Sequence, residues 1–350
     1  MKVLKFGGSS VANSNTIKQV LDIIGQVSKN QKIAVVVSAF GKTTDQLVAA
    51  ANLASNQDET YKEILQAIEN QHLEVVKELI PVTKQSEVLS HVKRLFNQLE
   101  TLLEGTYLLE ELSPKTLATI TGFGELLSSY IIAKAAKSNQ LDCVYKDSRE
   151  LIIATDHYQN AQVNKQRTHK NCQDYFSKAK EQITLLPGFI ASTVDQKTTT
   201  LGRGGSDYSA AIYASALDAD ELQIWTDVSG LFTANPTLVK QAFAIPHISY
   251  QEAMELSHFG AKVIYPPTIQ PVLEKGIPMV IKNTFDPQNE GTLITQKTDH
   301  KNPVKGITHI GGITLLTLEG SGMVGIPGFS KRLFETLSLQ NINIILSTQA

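Results

Sequence analysis

Lys2-Val3-Leu4-Lys5-Phe6-Gly7-Gly8-Ser9-Ser10 opens the chain as a short apolar strand running into a glycine-rich turn, with a helical pattern from about Asn15 to Val27. Strand, glycine turn, helix is how α/β proteins present backbone amides to a phosphate. Lys5, at the strand's end, adds a point charge to that turn. An ordinary strand-to-helix turn with a surface lysine has the same letters, so the stretch speaks to fold class before it speaks to chemistry. Further apolar runs at Ile33–Ser38, Cys143–Asp147, Leu186–Ile190, Leu222–Thr226 and Met279–Asn283 alternate with helical segments. That alternation predicts a mostly parallel sheet flanked by helices, with ligands at the strands' carboxyl ends. Lys5, Ser38 and Thr226-Asp227 all fall at such ends.

The densest chemistry lies in Gly202-Arg203-Gly204-Gly205-Ser206-Asp207, just ahead of a helical run from Tyr208 to Leu217. Glycines let amides approach an anion, a helix start favours negative charge, and arginine grips a carboxylate or phosphate through two N–H bonds. A glycine pair alone is only a turn. Arginine, serine and aspartate crowded at the same helix start predict an anion or substrate site.

Between Gln46 and Lys137 the sequence reads as a long helical insertion punctuated by Pro81 and Pro114. Leu95, Leu99, Leu102 and Leu103 repeat at helical spacing and belong to the core. In Gly122-Phe123-Gly124-Glu125 the glycines are expected to interrupt a helix and expose a carboxylate, a pattern that a plain helix-start turn also fits.

Two look-alikes fail. Gly41-Lys42-Thr43 resembles the end of a phosphate-binding Walker loop, but Val36 stands where that loop needs its first glycine. Ser38 and Thr44 remain as hydroxyls at a strand's end. Gly320-Ser321-Gly322-Met323-Val324-Gly325 spells a dinucleotide fingerprint, yet no acidic residue follows at the ribose position.

Composition excludes several classes. Of 350 residues, 42% are hydrophobic and 19% charged, ordinary globular values, and the net charge of -2 offers no electrostatic case for nucleic acid or an acidic membrane. The two cysteines form no disulfide framework or zinc motif, and the eight histidines are scattered, so no protein metal ligand is assigned. No signal peptide opens the sequence, and no apolar run is read as reaching membrane-spanning length. A cytoplasmic location is expected. In the tail, after a polar stretch from Asn289 to Pro303, Gly312–Leu318 reads as a strand, Gly328–Gln340 as an amphipathic helix and Ile342–Ser347 as a second strand. That is half of a ferredoxin-like βαββαβ module.

Lys5-Phe6-Gly7-Gly8-Ser9-Ser10, Gly202 to Asp207, Trp225-Thr226-Asp227-Val228 and Phe259-Gly260-Ala261-Lys262 occur in the order found in aspartokinases of the amino acid kinase family. The chain resembles that family, and Ser249 to Leu256 and Ile281-Lys282-Asn283-Thr284 resemble the kinase half of bifunctional aspartokinase–homoserine dehydrogenases. The resemblance implies a catalytic domain over 1–297, with 46–137 its helical insertion, and a linker with a truncated ACT-like regulatory segment over 298–350. It implies transfer of the ATP γ-phosphoryl group to the β-carboxylate of L-aspartate, with magnesium bridging the phosphates. Lys5 would stabilise the transferred group, with Gly7, Gly8 and Ser9 donating to phosphates. Arg203 would clamp the α-carboxylate, Glu125 hold the ammonium, and Ser38 and Thr44 orient the β-carboxylate. Asp207 is open to two roles, organising Lys5 or contacting the substrate amine. Thr226, Asp227, Phe232 and Lys262 would serve the nucleotide. A homodimer or higher oligomer, and a threonine or lysine effector, follow from the same resemblance. Another amino acid kinase, acting on N-acetylglutamate or carbamate, and a weakly active effector-binding subunit are the alternatives.

One segment departs from the family pattern. Where aspartokinases commonly carry a tyrosine and then Asp-Pro-Arg, this chain has Phe232 and Asn235-Pro236-Thr237. Phe232 keeps a ring for packing against a base but lacks the hydroxyl, and Thr237 supplies no charge to a phosphate; Lys240 is the nearest cation in sequence. The Thr237→Arg variant is expected to tighten ATP binding by about threefold to tenfold, the size of one added charge-assisted bond. Equilibrium ATP titration of both proteins checks it.

Overall fold

The residues Lys2-Val3-Leu4-Lys5-Phe6 form a strand, β1 (Lys2–Phe6), in which Val3, Leu4 and Phe6 are fully buried. A strand apolar on both faces belongs inside a parallel sheet covered by two layers. The computed structural model describes residues 1–260, 264–265, 267, 269–297, 304–320, 327–340 and 342–348, and these divide into two compact units, Met1–His309 and Ile310–Ala350.

In the first unit β1 lies between β2 (Ile33–Val37) and β7 (Glu221–Thr226). Outward from β2 come β4 (Ile183–Pro187) and β3 (Cys143–Tyr145); outward from β7 come β9 (Met279–Asn283), β10 (Thr292–Thr295) and β8 (His247–Ser249). Every pair is parallel except β9 with β10. β5 (Ile190–Ser192) and β6 (Thr198–Thr200) make a separate antiparallel hairpin. Register sets up the site: Phe6 pairs with Val37 and with Trp225, and Val37 pairs with Pro187. Residues 7, 38 and 188 therefore leave the sheet side by side, where the chain passes to opposite sides of β1.

The two-residue period of a strand divides the core. Leu4 and Phe6 pack with α1 (Ser14–Val27), α2 (Thr43–Ser55), α3 (Tyr61–Leu79), α4 (Val82–Leu109) and α5 (Pro114–Ser138). Val3 packs with α6 (Lys165–Phe176), α7 (Gly205–Ala216), α8 (Tyr250–His258) and α9 (Gln270–Lys275). Lys5 follows Val3, so its side chain leaves on the α7 side. Helix starts match their sequence signals. Asn13 and Thr16 form a capping box on α1, Ser113 accepts from the Thr116 amide with Pro114 at the first position of α5, and Pro81 stands at the start of α4.

Several sequence expectations need correction. The strand expected at Leu186–Ile190 is really the end of β4 and the start of β5, split by a turn at Gly188-Phe189 that the apolar run concealed. The Gly122–Glu125 segment does not interrupt its helix but lies inside α5, and Glu125 is buried rather than exposed. The same helix is long and apolar enough to cross a membrane by length and composition, contrary to expectation, and 83% of that stretch is buried within the fold. Burial accounts for its apolar character. In the second unit α10 (Phe329–Leu339) forms as read, whereas Gly312–Leu318 and the described residues of Ile342–Ser347 are not strands. The fingerprint-like Gly320–Gly325 lies outside the described residues beyond Gly320.

α5 is held tightly against the loop that follows β2. Ser128 Oγ donates to the Ser38 carbonyl at 2.8 Å, and a Cβ on Gly124 would stand 2.8 Å from the Ala39 Cβ. The next residue, Phe40, stacks on the buried His72 of α3 at 4.7 Å. Helices α3 and α5 thus fix the path of residues 38–41. Gly124→Ala is expected to push α5 off this loop and cost about 1–3 kcal/mol by overpacking. Urea unfolding of the variant against the parent measures that loss.

Candidate active site

The carboxyl ends of the central strands open into a cleft of about 740 Å³. Its walls include Lys5, Gly8, Ser38, Thr44, Glu125, Arg203 and Asp207, residues drawn from segments up to about 200 positions apart in the chain. Lys5 Nζ lies 2.5 Å from Asp207 Oδ1, both side chains being largely buried. The two charges form an ion pair across the mouth of the cleft. The pairing is electrostatic, and of the two roles open to Asp207 the geometry supports the one directed at Lys5.

Asp207 occupies that position because α7 begins at Gly205, placing the carboxylate in its first turn. Gly204 precedes the helix at φ +66°, a left-handed conformation that suits glycine, and no side chain caps the helix. The Gly205 amide donates to the Gly202 carbonyl at 2.9 Å, and the helix start adds its positive dipole end to the cleft. Arg203 is exposed at the cleft wall and has no ion-pair or hydrogen-bond partner among the described residues.

Glu125 enters from the opposite layer. Only 3% exposed, it accepts from the Ala39 amide through Oε1 at 3.3 Å, while Oε2 is buried without a partner among the described residues. Burial pushes its pKa up to about 8, against the opposing pull of backbone hydrogen bonds and of the Lys5 charge. A cationic group entering the cleft would restore its ionised form. Ser38 and Thr44 line the same wall, their hydroxyls making no hydrogen bond among the described residues.

The nucleotide end is divided. The Gly7 amide donates to the Trp225 carbonyl at 3.1 Å, so the donor role expected of it fails; its N–H holds β1 to β7 instead. Gly8 and Ser9, entering a short 3₁₀ turn, donate to no acceptor among the described residues. Thr226 and Asp227 sit at the end of β7, with the Thr226 hydroxyl donating to Asp227 Oδ1 at 3.2 Å. They and Phe232, half-buried and bridged to Ala244, lie outside the cleft wall. Asn235 Oδ1 accepts from both the amide and the hydroxyl of Thr237, closing a tight turn where the family pattern puts arginine. Lys262 lies outside the described residues.

Sequence reasoning missed Phe189 and Gln159, both on the cleft wall. Phe189 has φ +65°, and the Ile190 amide closes back on Gly188 at 2.6 Å, a strained three-residue turn. The Pro187-Gly188 pair is a turn signal that the apolar run on either side of it masked.

A profile of the amino acid kinase family matches residues 1–283, and a profile of the ACT domain matches 316–350. The bifunctional aspartokinase/homoserine dehydrogenase 1 of Arabidopsis thaliana is 34% identical over 99% of this chain and 39% of its own length. The chain thus spans about two fifths of the length of the bifunctional relatives it matches. Among solved structures, E. coli aspartokinase III in complex with lysine and aspartate superposes with a TM-score of 0.86 at 29% identity, covering 100% of this chain and 77% of that one. The same protein in complex with aspartate and ADP gives 0.84 at 29% identity, covering 100% and 76%.

The raised pKa of Glu125 has a stability consequence of definite sign. The folded state holds a proton that the unfolded chain releases near pH 4.5, so this group's contribution to stability is complete below that pH and is lost as pH rises through about 8. Glu125→Gln is expected to melt close to the parent at pH 5 and above it at pH 8.5. Thermal melts at the two pH values check the crossover.

Proposed function

We infer the reaction from one premise, that the chain belongs to the amino acid kinase family. The proposed activity is aspartate kinase: the γ-phosphoryl group of ATP passes to the β-carboxylate of L-aspartate, yielding 4-phospho-L-aspartate and ADP. One observation carries the choice of acceptor. A buried carboxylate oxygen of Glu125 shares a cleft with the guanidinium of Arg203, and neither has a partner among the described residues. These complement the ammonium and α-carboxylate of a free amino acid. An N-acetylated acceptor has no ammonium, and it would leave Glu125 buried and unpaired at a cost of about 1–3 kcal/mol. The bound aspartate in the E. coli aspartokinase III structures supports the same reading.

The acceptor carboxylate is already ionised at neutral pH, so the step needs no general base. Its demands are alignment and neutralisation of charge spreading over the phosphoryl oxygens. Lys5 meets that charge, held in place by Asp207; the amides of Gly8, Ser9 and the α7 start add dipoles. Ser38 and Thr44 orient the nucleophile. Thr226, Asp227, Phe232 and Lys262 are assigned to the nucleotide. Magnesium is read as arriving with ATP, since the described residues contain no group of three histidine, cysteine or acidic side chains placed to hold an ion.

The remaining assignments rest on resemblance and composition. Residues 1–297 are read as the catalytic domain and 298–350 as linker and partial ACT segment, binding threonine or lysine in a cytoplasmic homo-oligomer. The lysine complex of aspartokinase III is the support for an amino acid effector.

Hydroxylamine trapping of the acyl phosphate tests the reaction. Hydroxamate should form with L-aspartate and ATP, not with N-acetyl-L-glutamate, and should stop when EDTA removes magnesium. Lys5→Ala is expected to lower kcat by about 10²–10³. Absence of hydroxamate with aspartate from protein that still binds ATP would overturn the reading.

A further inference from the structure

The segment between β3 and α6 folds back on itself as a loop from Thr155 to Gln162. The Thr155 amide donates to the Gln162 carbonyl at 2.9 Å, and the Asn160 amide to the His157 carbonyl at 2.8 Å. The loop is then bonded to the end of β6. The Thr200 amide donates to the Tyr158 carbonyl at 2.8 Å, the Thr200 hydroxyl donates to the same oxygen at 2.9 Å, and the Ala161 amide returns a bond to the Thr200 carbonyl at 3.0 Å. Two residues on, at Gly202, an added Cβ would stand 2.9 Å from Asn160 Oδ1 and 3.1 Å from the Gln159 carbonyl. The loop apex therefore lies against the turn that carries Arg203.

Gln159, at that apex, is exposed on the wall of the cleft, and its carboxamide has no partner among the described residues. Its backbone is held on both sides, so the side chain is a polar group on a fixed mount, on the same cleft wall as Arg203. A carboxylate offers about four lone-pair positions, and a two-pronged arginine fills two of them. A neutral amide N–H beside the arginine suits a third without competing for its charge.

We propose that Gln159 is a specificity-determining residue, donating through Nε2 to the substrate carboxylate that Arg203 binds. The inference rests on the reading of the cleft as an aspartate site. It assigns to the loop Thr155–Gln162 the recognition of a free α-carboxylate, in parallel with the recognition of the ammonium by Glu125.

The test compares wild type, Gln159→Ala and Gln159→Glu with L-aspartate and with its α-carboxamide. Kd is read by calorimetry and turnover by hydroxamate formation. For aspartate, Gln159→Ala is expected to raise Kd and KM by about fivefold to tenfold, as for one hydrogen bond to a charged group, with kcat and the KM for ATP within about twofold. Gln159→Glu should raise them further, because it sets a negative charge against the carboxylate. With the α-carboxamide, Gln159→Glu should bind no worse than Gln159→Ala. Aspartate affinity unchanged in Gln159→Ala, or equal losses for aspartate and its amide, would overturn the inference while wild-type turnover of aspartate leaves the reaction standing. Wild-type protein that neither binds nor phosphorylates aspartate would remove both.

Discussion

The ion pair between Lys5 and Asp207 is the constraint from which the site is built. β1 is buried on both faces, so a lysine at its end cannot reach water freely and needs an opposite charge brought to it. α7 brings that charge by starting beside the end of β1, which in turn requires the left-handed turn at Gly204 and the uncapped first turn that follows. Lys5, the α7 amides and Arg203 therefore share one location for one reason. Removing Asp207 would leave a partly buried ammonium uncompensated, and the lost charge would be felt in the packing as well as the chemistry.

Around that pair the fold holds groups that lower its own stability. Glu125 is buried with one oxygen unpaired among the described residues, and Phe189 is held at φ +65°. Each is unfavourable to the fold by itself, and each lies on the cleft wall. Such costs persist where a ligand relieves them or where the strained backbone aims a group that a relaxed one would not. The helical layer supplies the rigidity that makes this tolerable. His72, neutral and buried, with its pKa pushed down to about 4, stacks on Phe40, while Ser128 holds the Ser38 carbonyl. The helical insertion thus positions the loop after β2 as well as supplying Glu125.

The second unit follows a different logic. Its helix α10 has no buried residues, and Leu315 and Leu346 are 90% and 72% exposed. A helix can satisfy its own backbone, so α10 forms from local periodicity alone. A strand cannot, and the apolar runs at Gly312–Leu318 and Ile342–Ser347 find no ladder among the described residues of this unit.

The sequence by itself determined the α/β class, the strands whose apolar runs end in polar turns, and the site residues that sit in glycine-rich motifs: Lys5, Gly8, Arg203 and Asp207. Those are legible because a strand's period and a glycine's conformational range are local properties. Tertiary structure alone decided that Glu125 is buried within a continuous helix, since its glycines serve close packing against Ala39 and not a turn. It also decided that the Gly7 amide belongs to Trp225 and that Gln159 joins the cleft. Each of these depends on a partner distant in the chain, and no local pattern records which amide a carbonyl on another strand will take.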